Sequence, residues 1–162
     1  MLRNLQLSIV RVMLTAILLC ISAVSWAQYS GTGTFTKITS LSELTDGYYV
    51  IANQQYGKAM ENDASSDYLQ AVNFSVSGGT DVINPDSSIV WKIEADGASY
   101  TIYNEEANQY VSYYGSSNKA YLEGAVSGNN ERWNFSYSSN LFTVRNANNT
   151  ARILQYNSGA PR

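Results

Sequence analysis

Thirteen tyrosines, no histidine and a single cysteine, Cys20, bound the chemistry available to this chain. Ser-His and Cys-His nucleophiles, and histidine-ligated metal centres, each lack a required part. Carboxylates remain. Glycoside hydrolysis needs two carboxyls flanking one bond at a defined separation, and the candidate pairs are Glu105-Glu106 and Asp63 with Asp67. Adjacent residues at a strand end point apart, so Glu105-Glu106 does not meet that requirement. Asp63 and Asp67 have a spacing a calcium ion could use, but they lack the sixth-position Gly and twelfth-position Glu of an EF-hand loop. No catalytic residue, metal or cofactor is therefore expected, and the residue types point to binding.

Sugar recognition suits them. It needs an aromatic face against the sugar's C–H groups and planar polar side chains that bind neighbouring hydroxyls. Two clusters supply both: Glu61, Asn62, Asp63 and Tyr68, and then Tyr113, Tyr114, Asn118 and Tyr121. Against this stands the common use of Tyr on β-surfaces, where one member of each adjacent pair turns into the core.

The elements that must position these clusters emerge from spacing. Trp91-Lys92-Ile93 is followed nine residues later by Tyr100-Thr101-Ile102-Tyr103-Asn104, and Trp133-Asn134-Phe135 nine later by Phe142-Thr143-Val144-Arg145-Asn146. The offset is 42 residues in both strands. A third copy begins at Phe35-Thr36-Lys37-Ile38 and continues at Tyr49-Val50-Ile51-Ala52-Asn53. Lys58-Ala59-Met60, Gln109-Tyr110-Val111 and Arg152-Ile153-Leu154 then correspond, as do Tyr68-Leu69 and Tyr121-Leu122. Periods near 40 with about four short strands mean propeller blades or trefoil lobes. Three units are too few for a propeller, so the pattern predicts an all-β, β-trefoil domain over residues 34–162, with units at about 34–71, 89–127 and 132–162. Asp46-Gly47, Asp96-Gly97 and Ser139-Asn140 supply the turns between first and second strands. Residues 72–88, with Gly78-Gly79 and Asn84-Pro85, are expected to form a loop insertion.

Arg3 and Arg11 precede an apolar run from Val12 to Val24 that ends in Ser25-Trp26-Ala27. Basic residues, a short apolar stretch and small residues at minus three and minus one are the marks of a signal peptide cleaved after Ala27, of bacterial type. The run is too short to span a bilayer, which takes about 20 residues. Residues 28–33 would form a short leading segment, and export would place the mature protein in the periplasm, at the cell surface or outside the cell. From residue 28 onward eight Lys and Arg face thirteen Asp and Glu, a net charge of −5. Nucleic acid and anionic lipid are excluded as partners because no cations cluster to meet them.

By the repeat offset, a fourth strand of unit three would begin beyond Arg162, so the trefoil is expected to lack its twelfth strand. An unpaired edge would then invite a strand from a protein partner.

The Lys58-Ala59-Met60-Glu61 block and Glu131-Arg132-Trp133, set in this register, resemble the ricin-type β-trefoil lectin repeat, with its Lys-Cys-Leu-Asp-like block and Gln-x-Trp. The Tyr-Asn and Leu-Gln-Tyr-Asn sequences at 103–104 and 154–157 are also similar to trefoil modules at the C-terminal ends of secreted bacterial proteins. The resemblance implies carbohydrate binding. Its sugar-binding Asp falls at Glu61, Ser112 and Gln155 in the three units, and the Gln before Trp becomes Ile89 and Glu131. Only unit one keeps a carboxylate at the key place. The expected function is that of an exported, non-catalytic, lectin-like module whose partner is a glycan. The alternatives are a protein-interaction or accessory module of a larger secreted hydrolase, here as a fragment, or a protease inhibitor working through residues 72–88.

Overall fold

The computed structural model describes residues 28–64, 68–115 and 119–157, so the leader ending at Ala27, Asp67 and Asn118 lie outside the described residues. The described chain is all-β, interrupted by two short 3-10 turns, Leu41–Glu43 and Ser87–Ile89. Its strands are β1 (Thr34–Thr36), β2 (Gly47–Val50), β3 (Ala52–Asn53), β4 (Lys58–Met60), β5 (Ala71–Asn73) and β6 (Asp81–Ile83). They continue with β7 (Val90–Asp96), β8 (Ser99–Asn104), β9 (Gln109–Tyr113), β10 (Ala120–Glu123), β11 (Arg132–Ser138) and β12 (Leu141–Asn146).

Unit two shows the repeat most fully as β7 to β10. Its first hairpin closes between Asp96 and Ser99, with Gly97 at φ 67 in the first turn position, a conformation glycine adopts at no steric cost. The matching hairpin of unit three closes over Ser139 and Asn140, at φ 53 and 62, the pattern of a type I′ turn. Units join by a single rule: the second strand of one pairs antiparallel with the first strand of the next, β2 with β7 and β8 with β11. This is the barrel connection of a β-trefoil.

Alternation turns Trp91, Ile93, Ile102, Val111, Trp133 and Val144 inward to one cluster. Both indoles are anchored as well as buried. Trp91 Nε1 donates to the Met60 carbonyl at 3.0 Å and Trp133 Nε1 to that of Val111 at 2.9 Å. Met60 and Val111 are corresponding third-strand residues, so each Trp locks its unit onto the preceding one.

Unit one departs from the expectation. Phe35 does not lead a barrel hairpin through Asp46-Gly47; β1 pairs with β6 in the register Thr34↔Ile83, Phe35↔Val82 and Thr36↔Asp81. Residues 72–88 are thus more than a loop, since they hold the end of β5, all of β6 and most of the second 3-10 turn. The cause is local. Gly78 and Gly79, at φ 61 and 85, turn the chain tightly enough for Ser77 and Asp81 to bridge, and the β-branched Val82-Ile83 that follows meets β1 in extended form. Asp46 is freed from the predicted turn and accepts from Ala95 N at 2.8 Å, fastening the start of β2 to β7. Leu44, just after the first 3-10 turn, is buried in the core cluster.

In unit three the predicted third strand contracts to one bridge, Arg145↔Ile153. Leu154 N still donates to the Val144 carbonyl at 2.9 Å, as Met60 N does to that of Ile51 at 2.8 Å, so the register of the repeat holds where the strand does not.

Candidate functional site

Glu61 leaves β4 with its backbone N–H donated to the Gln70 carbonyl at 3.0 Å. It borders an open cleft of about 500 Å³ together with Asn73, Phe74, Ile83, Asp86 and Ser88. Phe74 is set there by its own N–H, which reaches the Gly57 carbonyl at 3.1 Å. Asp86 caps the second 3-10 turn and accepts from Ser88 N at 2.9 Å. That backbone bond, with a second from the Ser88 side chain, holds its carboxyl below the usual carboxylate range. The cleft combines two acids, an amide, two hydroxyls and a phenyl ring, with Ile83 exposed at its side. Small-ligand clefts are typically about 300–1,000 Å³.

The rest of the unit-one cluster is dispersed. Asn62 is a strut: its Nδ2 donates to Asn104 Oδ1 at 2.9 Å and Glu106 Oε2 at 3.2 Å, and its backbone N–H to the Ser88 carbonyl at 2.9 Å. Asp63 is exposed, and its carbonyl accepts from Gln70 N at 2.8 Å. Tyr68 is half-buried outside the cleft lining; the next residue, Leu69, donates its N–H to the Ala120 carbonyl at 2.9 Å, which lays this segment along β10 and near Tyr121.

The second cluster also divides. Tyr113 is 4% exposed within the core, its hydroxyl donated to the Gly115 carbonyl and Arg152 positioned over its ring at 5.9 Å. It offers no open ring face, which corrects its assignment as a sugar contact. Tyr114 is 68% exposed, Tyr121 is half-buried opposite Ser112, and Asn118 lies outside the described residues. Ser112 is itself sealed. Its Oγ donates to Glu131 Oε1 at 3.0 Å, and Glu131, 3% exposed, also accepts from Ser127 N and Gly128 N at 3.0 Å each. Ser112, the unit-two residue at the position where the resemblance places a sugar-binding carboxylate, is thus engaged by the protein's own hydrogen bonds.

Sequence reasoning missed Asn73, Phe74, Asp86 and Ser88 because residues 72–88 carry no counterpart in the other units. Signals were present in Asn73-Phe74-Ser75, which mixes amide, ring and hydroxyl, and in Asp86 before two serines, a turn-capping pattern. A smaller cleft of about 200 Å³ lies across the second 3-10 turn, bordered by Tyr29, Tyr48, Ser87, Glu105 and Glu106. Tyr48 Oη donates to Glu105 Oε1 at 2.7 Å and Tyr29 N to Glu105 Oε2 at 3.2 Å. Burial, followed by the bond to Glu105, pushes the Tyr48 phenol up to about 12. Among the described residues no group of three His, Cys, Asp or Glu could hold a metal ion.

Fold and clefts together define an all-β trefoil protein with an open acidic and aromatic groove on its first unit. No family model matches the sequence, and no curated protein matches it. Solved structures do match in fold. A designed threefold-symmetric protein, ThreeFoil, is 15% identical with a TM-score of 0.52, over 71% of this chain and 82% of that one. The endo-β-galactosidase of Clostridium perfringens that releases GlcNAcα1-4Gal is 13% identical with a TM-score of 0.53, over 64% of this chain and 24% of the enzyme. The chain therefore aligns with about a quarter of that enzyme.

Proposed function

We propose that this protein is an exported, non-catalytic carbohydrate-binding module of the ricin-type, lectin-like kind, and that it takes its glycan in the unit-one cleft. One observation carries the reading. Glu61, which stands where the resembling family keeps its sugar-binding carboxylate, borders an open cleft that also presents Asp86, Asn73, Ser88 and Phe74. Acids and amide accept and donate to vicinal hydroxyls, and the phenyl ring receives the C–H face of a pyranose. The fold likeness to part of an endo-β-galactosidase supports a glycan as ligand, as does a surface without the clustered cations that phosphate polymers require.

The test is retention of the exported protein on an array of immobilised glycans, beside Glu61→Gln and Phe74→Ala. Selective retention of the parent, lost in both variants while their thermal midpoints stay near the parent's, is expected. Retention unchanged in both variants removes the cleft from the assignment. A parent that binds no glycan, yet captures a protein partner, replaces the reading with that of an interaction module.

A further inference from the structure

The strand register aligns five side chains that sequence order scatters. Tyr48 on β2 stands opposite Lys92 on β7, Lys92 opposite Tyr103 on β8, Tyr103 opposite Tyr110 on β9, and Tyr110 opposite Glu123 on β10. Trp91 and Ile93 alternate with Lys92 and are buried, so the row lies on the outer face of the sheet. Five adjacent strands at about 4.8 Å spacing make it about 19 Å long. That exceeds what a single sugar covers.

The row is held in place before any ligand arrives. Tyr103 Oη donates to Asn108 Oδ1 at 2.6 Å, and Tyr48 Oη to Glu105 Oε1 at 2.7 Å. The rings of Tyr103 and Tyr110 meet at 4.7 Å between centroids, inclined by 45°. Lys92 Nζ is drawn aside to Glu94 Oε1 at 2.7 Å, which neutralises its charge and leaves its methylene stem between Tyr48 and Tyr103. Fixed rings lose little entropy on binding. Beyond Tyr48 the row runs into the cleft of about 200 Å³, and Ser87 there adjoins Ser88 of the larger cleft across the same 3-10 turn.

We infer that the ligand is an extended chain of neutral sugars, lying along the Tyr110-Tyr103-Lys92-Tyr48 ridge with one end directed to the unit-one cleft. This rests on the carbohydrate-binding reading and adds the class of glycan. Charge selects the occupant. The one cation of the ridge is paired with Glu94, while Glu105 and Glu123 leave an excess of negative charge that repels uronate or sulfated chains. The row also contains no Leu, Ile, Val or Phe side chain of the kind that fills a pocket on a protein partner.

Titration of the exported protein with gluco-, galacto- and N-acetylglucosamine oligosaccharides of two to six units tests this, with Tyr103→Ala, Tyr103→Phe and Glu61→Gln alongside. For one series, affinity is expected to rise at least tenfold from the dimer to the hexamer. Tyr103→Ala should cancel that rise without changing the dimer's affinity, whereas Tyr103→Phe, which keeps the ring, should preserve it. Glu61→Gln should weaken every length equally. Dimer binding with no gain for the hexamer, or a gain that survives Tyr103→Ala, overturns the ridge and leaves the cleft standing. If no oligosaccharide of any length binds, the carbohydrate reading falls and the ridge with it.

Discussion

Asn104 and Asn146, 42 residues apart and both fully buried, make corresponding hydrogen bonds in successive units. Asn104 Nδ2 donates to the Val90 carbonyl at 3.0 Å and Asn146 Nδ2 to that of Arg132 at 3.3 Å. Their Oδ1 atoms accept from Ala107 N at 2.8 Å and Asn149 N at 3.1 Å, three residues on in each case. Asn53 receives the matching turn bond from Tyr56 N at 3.3 Å. The recurring Asn therefore ends β3, β8 and β12 in turn and shapes the turn behind each.

Asn104→Ala would strand the buried Val90 carbonyl and the Ala107 N–H, at about 1–3 kcal/mol for such unsatisfied groups. A lower urea midpoint with an unchanged slope is the expected outcome. Asn53→Ala, at a half-buried position where a single turn bond is at stake, should shift the midpoint less.

Trp133→Ala removes an indole that is 2% exposed together with its bond to Val111. Such truncations cost about 3–5 kcal/mol against typical stabilities of about 5–15 kcal/mol. Calorimetry should show a strongly lowered midpoint or no cooperative transition. Trp133→Phe, which keeps the core ring and loses the indole donor, should fall between that variant and the parent.

Glu131→Gln removes a charged acceptor whose Oε2 takes both Ser127 N and Gly128 N and whose Oε1 takes Ser112 Oγ, and the NH₂ group it introduces can serve neither backbone donor. Hydrogen bonds to a charged acceptor are worth about 1.5–3 kcal/mol. The variant should be destabilised by about that amount in chemical denaturation. A parent-like midpoint would remove Glu131 as the anchor of the 127–131 turn.

Alkali should weaken the fold through Tyr48. Its phenol, raised by burial and by Glu105 from 10.0 to about 12, stays protonated in the folded chain after the unfolded chain has begun to ionise. Its contribution is full below pH 10 and is lost as pH rises through about 12. Asp86 works in the opposite sense: with its carboxyl held down by Ser88, its contribution is present above the usual carboxylate range and lost as pH falls through its folded value. Comparing midpoints across pH for the parent, Tyr48→Phe and Asp86→Asn should show each slope reduced in its own variant.

Tyr68→Ala separates the cleft from its neighbourhood. Because Tyr68 stands outside the cleft lining, its loss should leave glycan retention within about twofold, whereas Phe74→Ala should abolish it. Retention lost in Tyr68→Ala alone would shift the site to the surface between the Tyr68 segment and β10.

The repeat, its core indoles and two of its three expected tight turns were legible because they depend on spacing along the chain. A period of 42 residues puts Trp91 and Trp133 in one role, and two-residue turns declare themselves at Gly97 and at Ser139-Asn140. The candidate sites were less legible. Glu61 was found from the repeat, but Asn62 is spent as a strut, Tyr113 is in the core and Ser112 is sealed by Glu131. Adjacent letters were expected to act together, and hydrogen bonds made just beyond β4 and β9 divided them.

The sequence alone thus determined the all-β trefoil pattern, the direction of its core residues and the acidic, tyrosine-rich character of its surface, since periodicity and composition act locally. Tertiary structure decided that β1 pairs with β6, that Glu61 meets Asp86 and Phe74 across a cleft, and that Tyr48, Lys92, Tyr103 and Tyr110 fall in line. Strand periodicity says which way a side chain faces; the partner strand and its register are settled by long-range pairing, which no local pattern encodes.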